Sequence, residues 1–199
     1  MKIDTLLSSD KSFSVSSDSS FYIGFSDELK RIDLLFFFIK RYNFYLGSRI
    51  MREISKSLSS DPLFLKFINH IDVDYYEIIK PYFGRDPKHL DDGEYEAIGI
   101  AHYLYLKGVL RYLIIDERRI RNFVERHFPY LKHNMVGSIG FIRDSCTKDK
   151  FINRSKAIDI LTATKKVIDE GKRVFGVDKN TYEVIIAPII RNLDVSCER

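Results

Sequence analysis

A continuous apolar strand that directly follows a well-defined amphipathic helix constrains the fold of this chain more than any other feature. The helix is predicted from "DDGEYEAIGIAHYLYLKG" (91–108), in which apolar residues recur at helical spacing and Gly108 follows as a C-cap. The strand is "YLIID" (112–116), an unbroken apolar run typical of a central parallel strand that is buried on both faces. It ends in the carboxylate of Asp116.

The first 60 residues repeat the alternation of strands and helices. A polar strand, "SFSVSS" (12–17), precedes a helix over 27–42 for which Asp27 is the predicted N-cap. A second strand, "NFYLGS" (43–48), leads into a helix, "RIMREISKSL" (49–58). Such alternation predicts an α/β fold with a parallel sheet covered by helices on both faces. The polarity of the first strand suggests that it lies at an edge of the sheet.

The 199 residues fit one globular domain with additions at both ends. We expect a flexible serine-rich leader at 1–11, the α/β domain at 12–150, and a helical extension at 151–199 that packs on the same domain. In the extension one helix is stopped by Gly171, and a last helix begins at Asp178 and ends at Pro188.

The extension shows no cluster of catalytic side chains in its sequence. We expect it to provide packing or an oligomer surface, formed by Ile158, Leu161, Ile185 and Ile186.

Composition excludes several classes of protein. The longest apolar run, "LLFFFI" (34–39), is far shorter than the roughly 20 residues of a membrane span, and no secretory signal is recognisable, so we expect a cytoplasmic protein with no membrane association. Cys146 and Cys197 form no CxxC pair, and the five histidines show no HExxH spacing, which argues against a zinc hydrolase. A net charge of +4 permits a nucleic-acid partner without requiring one.

Four carboxylates occupy junctions between predicted elements. Asp18 and Asp116 follow strands, Glu53 lies in the helix after the second strand, and Glu94 lies in the first turn of the helix that precedes the Asp116 strand. Individually, each has an ordinary interpretation as a turn, cap or solvated residue. In an open parallel sheet, however, ligands bind at the carboxyl ends of the strands.

Convergence of these acids would require a counter-charge. Two like charges 4 Å apart repel by roughly 4 kcal/mol at an effective dielectric constant near 20. A set of hard oxygen ligands selects Mg²⁺ or Mn²⁺, which can activate water for hydrolysis of a phosphodiester. The pattern therefore predicts metal-dependent phosphodiester cleavage.

Four blocks of sequence resemble, in order, those of PIN-domain proteins, and most closely the archaeal and bacterial proteins related to VapC toxins. The blocks are "DSSFYIGFSDELKRIDLLFFFIKRYNFYLGSRIMREI", "DDGEYEAIGIAHYL", "YLIIDERRIRNFVERHF" and "MVGSIGFIRDSC", and the resemblance covers about residues 13–144. It implies a three-layer α/β sandwich with a central parallel sheet flanked by helices. It also implies that "GSIG" (137–140) forms a turn.

The resemblance implies roles for individual residues. The catalytic acids would be Asp18, Glu53, Glu94 and Asp116, of which Asp18, Glu94 and Asp116 would bind the metal. Ser19 and Ser20 would support the first acid. Glu96 is a supporting residue and the second choice for the third acid, and Asp92 is a further competitor; helical spacing leaves the choice open.

The chain departs from the family where many members carry a further acid after the last aspartate, because Arg118 and Arg119 stand there. They either bind RNA phosphates or form a solvated helix face. The implied function is a Mg²⁺- or Mn²⁺-dependent ribonuclease acting on single-stranded RNA. The resemblance extends this to the toxin of a toxin–antitoxin pair, with a protein antitoxin and a homo-oligomeric state such as a homodimer.

Two alternatives stay open at this stage. One is a PIN-like protein that has lost catalysis and serves as a binding or oligomerisation module. The other is a nuclease that acts on DNA or on structured RNA.

Overall fold

The computed structural model describes residues 13–72, 75–82 and 93–195. The expected leader at 1–11 lies outside the described residues, as do Asp92 and Cys197.

A five-stranded parallel sheet forms the centre of the described structure. Its strand order is β3-β2-β1-β4-β5, and every neighbouring pair is parallel. The strands are β1 (Ser14–Ser17), β2 (Asn43–Leu46), β3 (Asn69–His70), β4 (Leu110–Ile114) and β5 (Met135–Val136). Helices flank the sheet, so the predicted α/β fold with a central parallel sheet between helical layers is confirmed.

The helices occupy most of the remaining described chain. They are α1 (Ser19–Ile23), α2 (Ile32–Ile39), α3 (Ser48–Glu53), α4 (Lys56–Ser59), α5 (Pro62–Phe67), α6 (Tyr75–Ile79), α7 (Gly93–Leu106), α8 (Arg118–His127), α9 (Ser138–Thr147), α10 (Arg154–Asp169) and α11 (Lys179–Val195). The α7–β4 unit follows the prediction closely, with Gly108 at a φ of 68° after the helix. None of the described helices combines the length and apolarity needed to cross a bilayer.

Strand β1 lies in the middle of the sheet, so the prediction of an edge position is wrong. Its four residues are all buried between β2 and β4. The serine hydroxyls are tolerated there because they find acceptors: Ser16 Oγ donates to the carbonyl of Ala97 at 2.8 Å, and Ser17 Oγ to that of Asp18 at 3.1 Å. A polar sequence can therefore occupy a central strand.

The helical segment after β1 begins earlier than predicted. Asp18, not Asp27, is the N-cap, because its carboxylate accepts a hydrogen bond from the backbone N–H of Ser20 at 3.0 Å. Asp27 instead lies in a π-helical stretch over Gly24–Glu28, and Lys30 at a φ of 53° separates that stretch from α2. The helix predicted over 49–58 is also divided, into α3 and α4.

The C-terminal helices confirm two predicted boundaries and contradict one. Gly171, at a φ of 81°, follows α10, and Asp178 begins α11 by accepting a hydrogen bond from the N–H of Thr181 at 2.9 Å. Helix α11 does not end at Pro188 but runs through it to Val195. Proline removes one backbone hydrogen bond, and burial of Ile186 and Leu193 on either side keeps this part of the helix on the core.

One hydrophobic cluster joins the sheet to the C-terminal helices. Leu161 and Ile186, which we expected at an oligomer surface, are fully buried in this cluster, whereas Ile158 is partly buried and Ile185 is 42% exposed. The aromatic side chains in the centre of the molecule, including Phe21, Phe44 and Phe141, likewise pack against one another as core.

Candidate functional site

The strand order creates a switch point between β1 and β4. The chain proceeds from β1 to β2 and β3 on one side, and from β4 to β5 on the other. Parallel sheets bind ligands in the crevice at the carboxyl ends of the two strands that flank such a point. Asp18 follows β1 directly, and Asp116 follows β4 by two residues, so the topology brings both acids to this crevice.

Asp18 is completely buried in the crevice. Its Oδ1 accepts a hydrogen bond from the N–H of Ser20 at 3.0 Å, and its Oδ2 accepts one from the N–H of Asp116 at 3.4 Å. Burial raises the pKa of this carboxyl group well above its ordinary value, and the negative charges of Asp116 and Glu94 raise it further. The three acids that we expected to bind metal are therefore electrostatic neighbours.

Asp116 is held by a single serine. Its Oδ1 accepts a hydrogen bond from the N–H of Ser138 at 2.7 Å, and its Oδ2 accepts one from the Ser138 hydroxyl at 2.5 Å. Burial raises the pKa of Asp116 to about 6, although these hydrogen bonds and the charge of Arg121 act in the opposite direction.

Ser138 was not among the predicted site residues. We expected "GSIG" to form a turn. It is instead the start of α9, with Gly137 as the N-cap of that helix. A Cβ atom on Gly137 would lie 3.0 Å from Asp116 Oδ1, so glycine allows the close approach of this segment to the acid. The position of Ser138 shortly after β5, at the carboxyl edge of a third strand, is the signal that could have identified it.

Glu96 is not part of the acid group. It is buried, and its two carboxylate oxygens accept hydrogen bonds from the N–H groups of Arg49 at 3.1 Å and Ile50 at 2.8 Å, at the start of α3. The pKa of Glu96 is raised, because the effect of burial outweighs the opposing effect of these two backbone hydrogen bonds. Of the two glutamates that helical spacing could not separate, Glu94 is the one whose charge acts on Asp18.

Glu53 lies beside the acids Asp18, Asp116 and Glu94 and is not one of them. Its side chain projects from the end of α3, and Oε1 accepts a hydrogen bond from the N–H of Gly93 at 2.7 Å. Glu53 therefore holds the first residue of α7, immediately before Glu94.

The two serines after Asp18 contribute differently from expectation. Ser20 contacts the Asp18 carboxylate through its backbone N–H, with a further contribution from the N–H of Phe21. Ser19 is buried in the first turn of α1. Support for the acid comes from the helix backbone and not from a serine hydroxyl.

A cleft of about 850 Å³ lies in front of Asp116. Four arginines from three parts of the chain line it: Arg118 and Arg121 of α8, Arg143 of α9, and Arg173 before α11. Arg118 lines this cleft and also a neighbouring cavity along α8, which Arg119 lines as well while it pairs with Glu117 at 3.0 Å. Of the expected pair, Arg118 lines the cleft at Asp116, together with three arginines that were not predicted as site residues.

The C-terminal extension forms one wall of this cleft. Phe175 packs on Phe25 with ring centroids 5.0 Å apart, and its N–H donates to Glu28 Oε2 at 3.0 Å. A Cβ atom on Gly176 would lie 3.8 Å from the Cβ of Asp116. Besides packing, which we expected, the extension therefore supplies residues next to the acids.

The donor chemistry of the crevice suits a hard divalent cation. Each carboxylate retains lone pairs beyond the hydrogen bonds it accepts, and burial raises the pKa of both carboxyl groups, a cost of ionisation that a bound cation would offset. Within 13–72, 75–82 and 93–195, no three Asp, Glu, His or Cys side chains are grouped closely enough to hold a metal as they stand. Metal binding would therefore require side-chain adjustment around the Asp18–Asp116 pair.

Comparison of the chain with protein-family models, with curated proteins and with solved structures found no match.

Proposed function

We propose that this chain is a Mg²⁺- or Mn²⁺-dependent endoribonuclease of the PIN type that hydrolyses phosphodiester bonds in single-stranded RNA. One observation carries the proposal: the buried Asp18 and the half-buried Asp116 meet at the switch point of a parallel sheet, and Asp116 lines a cleft that four arginines also line. The PIN resemblance supplies RNA as the substrate.

The residues divide into metal ligands and groups that position them. Asp18, Asp116 and Glu94 would hold the cation, which supplies an activated water and neutralises charge at the phosphate. Ser138 fixes the orientation of Asp116 through two hydrogen bonds, and the N–H of Ser20 fixes Asp18. Glu53 positions the start of α7, which carries Glu94.

The arginines of the cleft would bind the substrate backbone. Arg118, Arg121 and Arg173 present positive charge around Asp116, and guanidinium groups match the geometry of phosphate oxygens. Phosphate contacts of this kind position a strand without selecting its sequence.

Cleavage of single-stranded RNA and DNA, measured side by side with Mn²⁺ and with EDTA, tests the proposal. We expect Mn²⁺-dependent cleavage of RNA that is lost in Asp116→Asn and retained in Lys132→Ala, a surface control that removes a cation paired with Glu125. Absence of RNA cleavage by the wild-type chain would contradict the proposal, and preferential cleavage of DNA would change the substrate.

A binding or oligomerisation module without catalysis is the second candidate. It is favoured by the lack, among the described residues, of a preformed group of three metal-binding side chains. Such a module would bind no Mn²⁺ although all its acids are intact.

Partner proteins follow only from the PIN resemblance, which suggests a protein antitoxin and a homodimer. Val184 and Ile185 of α11 are 76% and 42% exposed and offer apolar surface for self-association. Light scattering at micromolar concentration tests this; a monomer would contradict the homodimer.

A further inference from the structure

A second cavity lies next to the cleft that Asp116 lines. It has a volume of about 650 Å³ and lies among α9, α10 and α11. Three of its lining residues are cationic, Arg143, Lys150 and Arg154, and we call this cavity the basic pocket. The roles assigned to the acids and their cleft do not account for it.

Arg143 of α9 and Ile189 of α11 line both the cleft and the basic pocket, so the two cavities adjoin at these residues. The Nε of Arg143 is held by Oδ1 of Asp144 at 2.7 Å, while 43% of the arginine side chain is exposed. A guanidinium has five N–H donors in a fixed plane, so an ion pair through Nε leaves donors for an anion in either cavity. The buried Asp144 thereby sets the guanidinium at the junction.

The lining of the basic pocket combines charge with apolar surface. Cations lie at Arg143, Lys150 and Arg154, and the half-buried apolar residues Pro188 and Ile189 line the same space. Single-stranded nucleic acids are bound by such combinations, in which cations follow the phosphates and apolar surface accommodates bases.

We propose that the basic pocket is a second subsite for the RNA strand, which binds nucleotides beyond those held in front of Asp116. The inference rests on the proposed function for its ligand and adds a path for the strand: from the arginines of the cleft, past Arg143, to Lys150 and Arg154. A polyanion is favoured over a small separate anion because the two positively charged cavities are joined at a shared arginine.

Binding without catalysis tests this path. Fluorescence anisotropy of a labelled RNA dodecamer and of a trinucleotide is measured over a range of salt concentrations with the full chain carrying Asp116→Asn, in EDTA. The test variant adds Lys150→Asn and Arg154→Gln. Asparagine is chosen because Lys150 has a φ of 61°, which asparagine tolerates. The matched control instead adds Lys132→Gln and Lys165→Gln, which also removes two cations. Circular dichroism establishes that each variant is folded.

We expect the test variant to lose affinity for the dodecamer by about 10-fold and its salt slope to fall by about 1.4, since each phosphate contact to a single strand contributes about 0.7. Affinity for the trinucleotide and both affinities of the control should stay close to those of the Asp116→Asn protein. Equal dodecamer binding by test and control variants, equal loss for both RNAs, or no dodecamer binding by the Asp116→Asn protein would overturn the second subsite. Absence of cleavage in the separate activity assay would overturn the nuclease without affecting this result.

Discussion

Glu53 and Glu96 each cap the helix that carries the other. Glu96, in the first turn of α7, accepts hydrogen bonds from the N–H groups at the start of α3, and Glu53, at the end of α3, accepts one from Gly93 at the start of α7. This exchange fixes α7 against α3 and thereby sets the position of Glu94 relative to Asp18. Two acids that resemble catalytic residues in sequence thus have a positional role.

Removal of the buried cap should destabilise the fold. Glu96→Ala leaves the N–H groups of Arg49 and Ile50 without their acceptor, which should lower the free energy of unfolding by about 1–3 kcal/mol. Glu96→Gln keeps one acceptor oxygen and should lose less. Urea unfolding measures both, with the half-exposed Glu125→Ala as the control; equal stability of Glu96→Ala and Glu125→Ala would contradict the cap.

Glycine at position 47 should be required by the same cap. A Cβ atom there would lie 2.4 Å from the Glu96 carboxylate, so Gly47→Ala must displace a carboxylate that two backbone N–H groups hold. We expect a loss of about 1–3 kcal/mol. The matched control is Gly140→Ala inside α9, where the nearest atom would be at an ordinary 3.6 Å and helix propensity favours alanine. Similar unfolding midpoints for the two variants would contradict the prediction.

Ser138 should act on cleavage through Asp116. Its hydroxyl and N–H lower the pKa of that carboxyl group, so Ser138→Ala, which removes the hydroxyl alone, should raise it above about 6. The acidic limb of the pH–rate profile for RNA cleavage should then move to higher pH. Ser145→Ala, which removes another buried hydroxyl, should leave the limb in place. If Ser138→Ala lowers the stability but leaves the acidic limb of the pH–rate profile in place, Ser138 has only a structural role.

The free energy of unfolding should decrease as the pH rises from about 4 to 6, because Asp116 loses its proton in this range. Its folded pKa of about 6 exceeds the ordinary 3.8, so the folded state binds more protons than the unfolded state between about pH 4 and 6. Stability contributed by the protonated acid is complete below this window and is lost as pH rises through it, by about 3 kcal/mol. Asp116→Asn, whose amide can still bind Ser138, should show a correspondingly flatter dependence in EDTA. Identical pH dependence of urea unfolding in the two proteins would contradict this assignment.

The sequence predicts the parts of the fold that depend on local pattern. The apolar run before Asp116 identifies β4, because burial on both faces leaves an unbroken apolar stretch. The apolar spacing before Gly108 identifies α7, although the helix is more deeply buried than that spacing indicates, with residues 95–101 all buried. The central position of β1 has no such signature. Its serines are satisfied by partners far along the chain, such as the carbonyl of Ala97.

In the candidate site, too, some residues are predictable from local sequence pattern, and others depend on contacts between distant segments. Asp18 and Asp116 are predictable because strands deliver them to one edge of a parallel sheet. The choice between Glu94 and Glu96 is not, because two residues in the same helical turn differ only in what tertiary contacts they meet. Arg173 reaches the cleft through the anchoring of Phe175 near Phe25, a contact between distant segments that local spacing does not encode.

Calorimetric titration with Mn²⁺ tests the central claim most directly, because it measures whether the acid pair holds a cation independently of any substrate. We predict binding by the wild-type chain that is lost in both Asp18→Asn and Asp116→Asn, weakened in Glu94→Gln, and retained in Glu125→Gln. The absence of Mn²⁺ binding by the folded wild-type chain, or its full retention in Asp18→Asn and Asp116→Asn, would contradict the metal centre at the β1–β4 switch point.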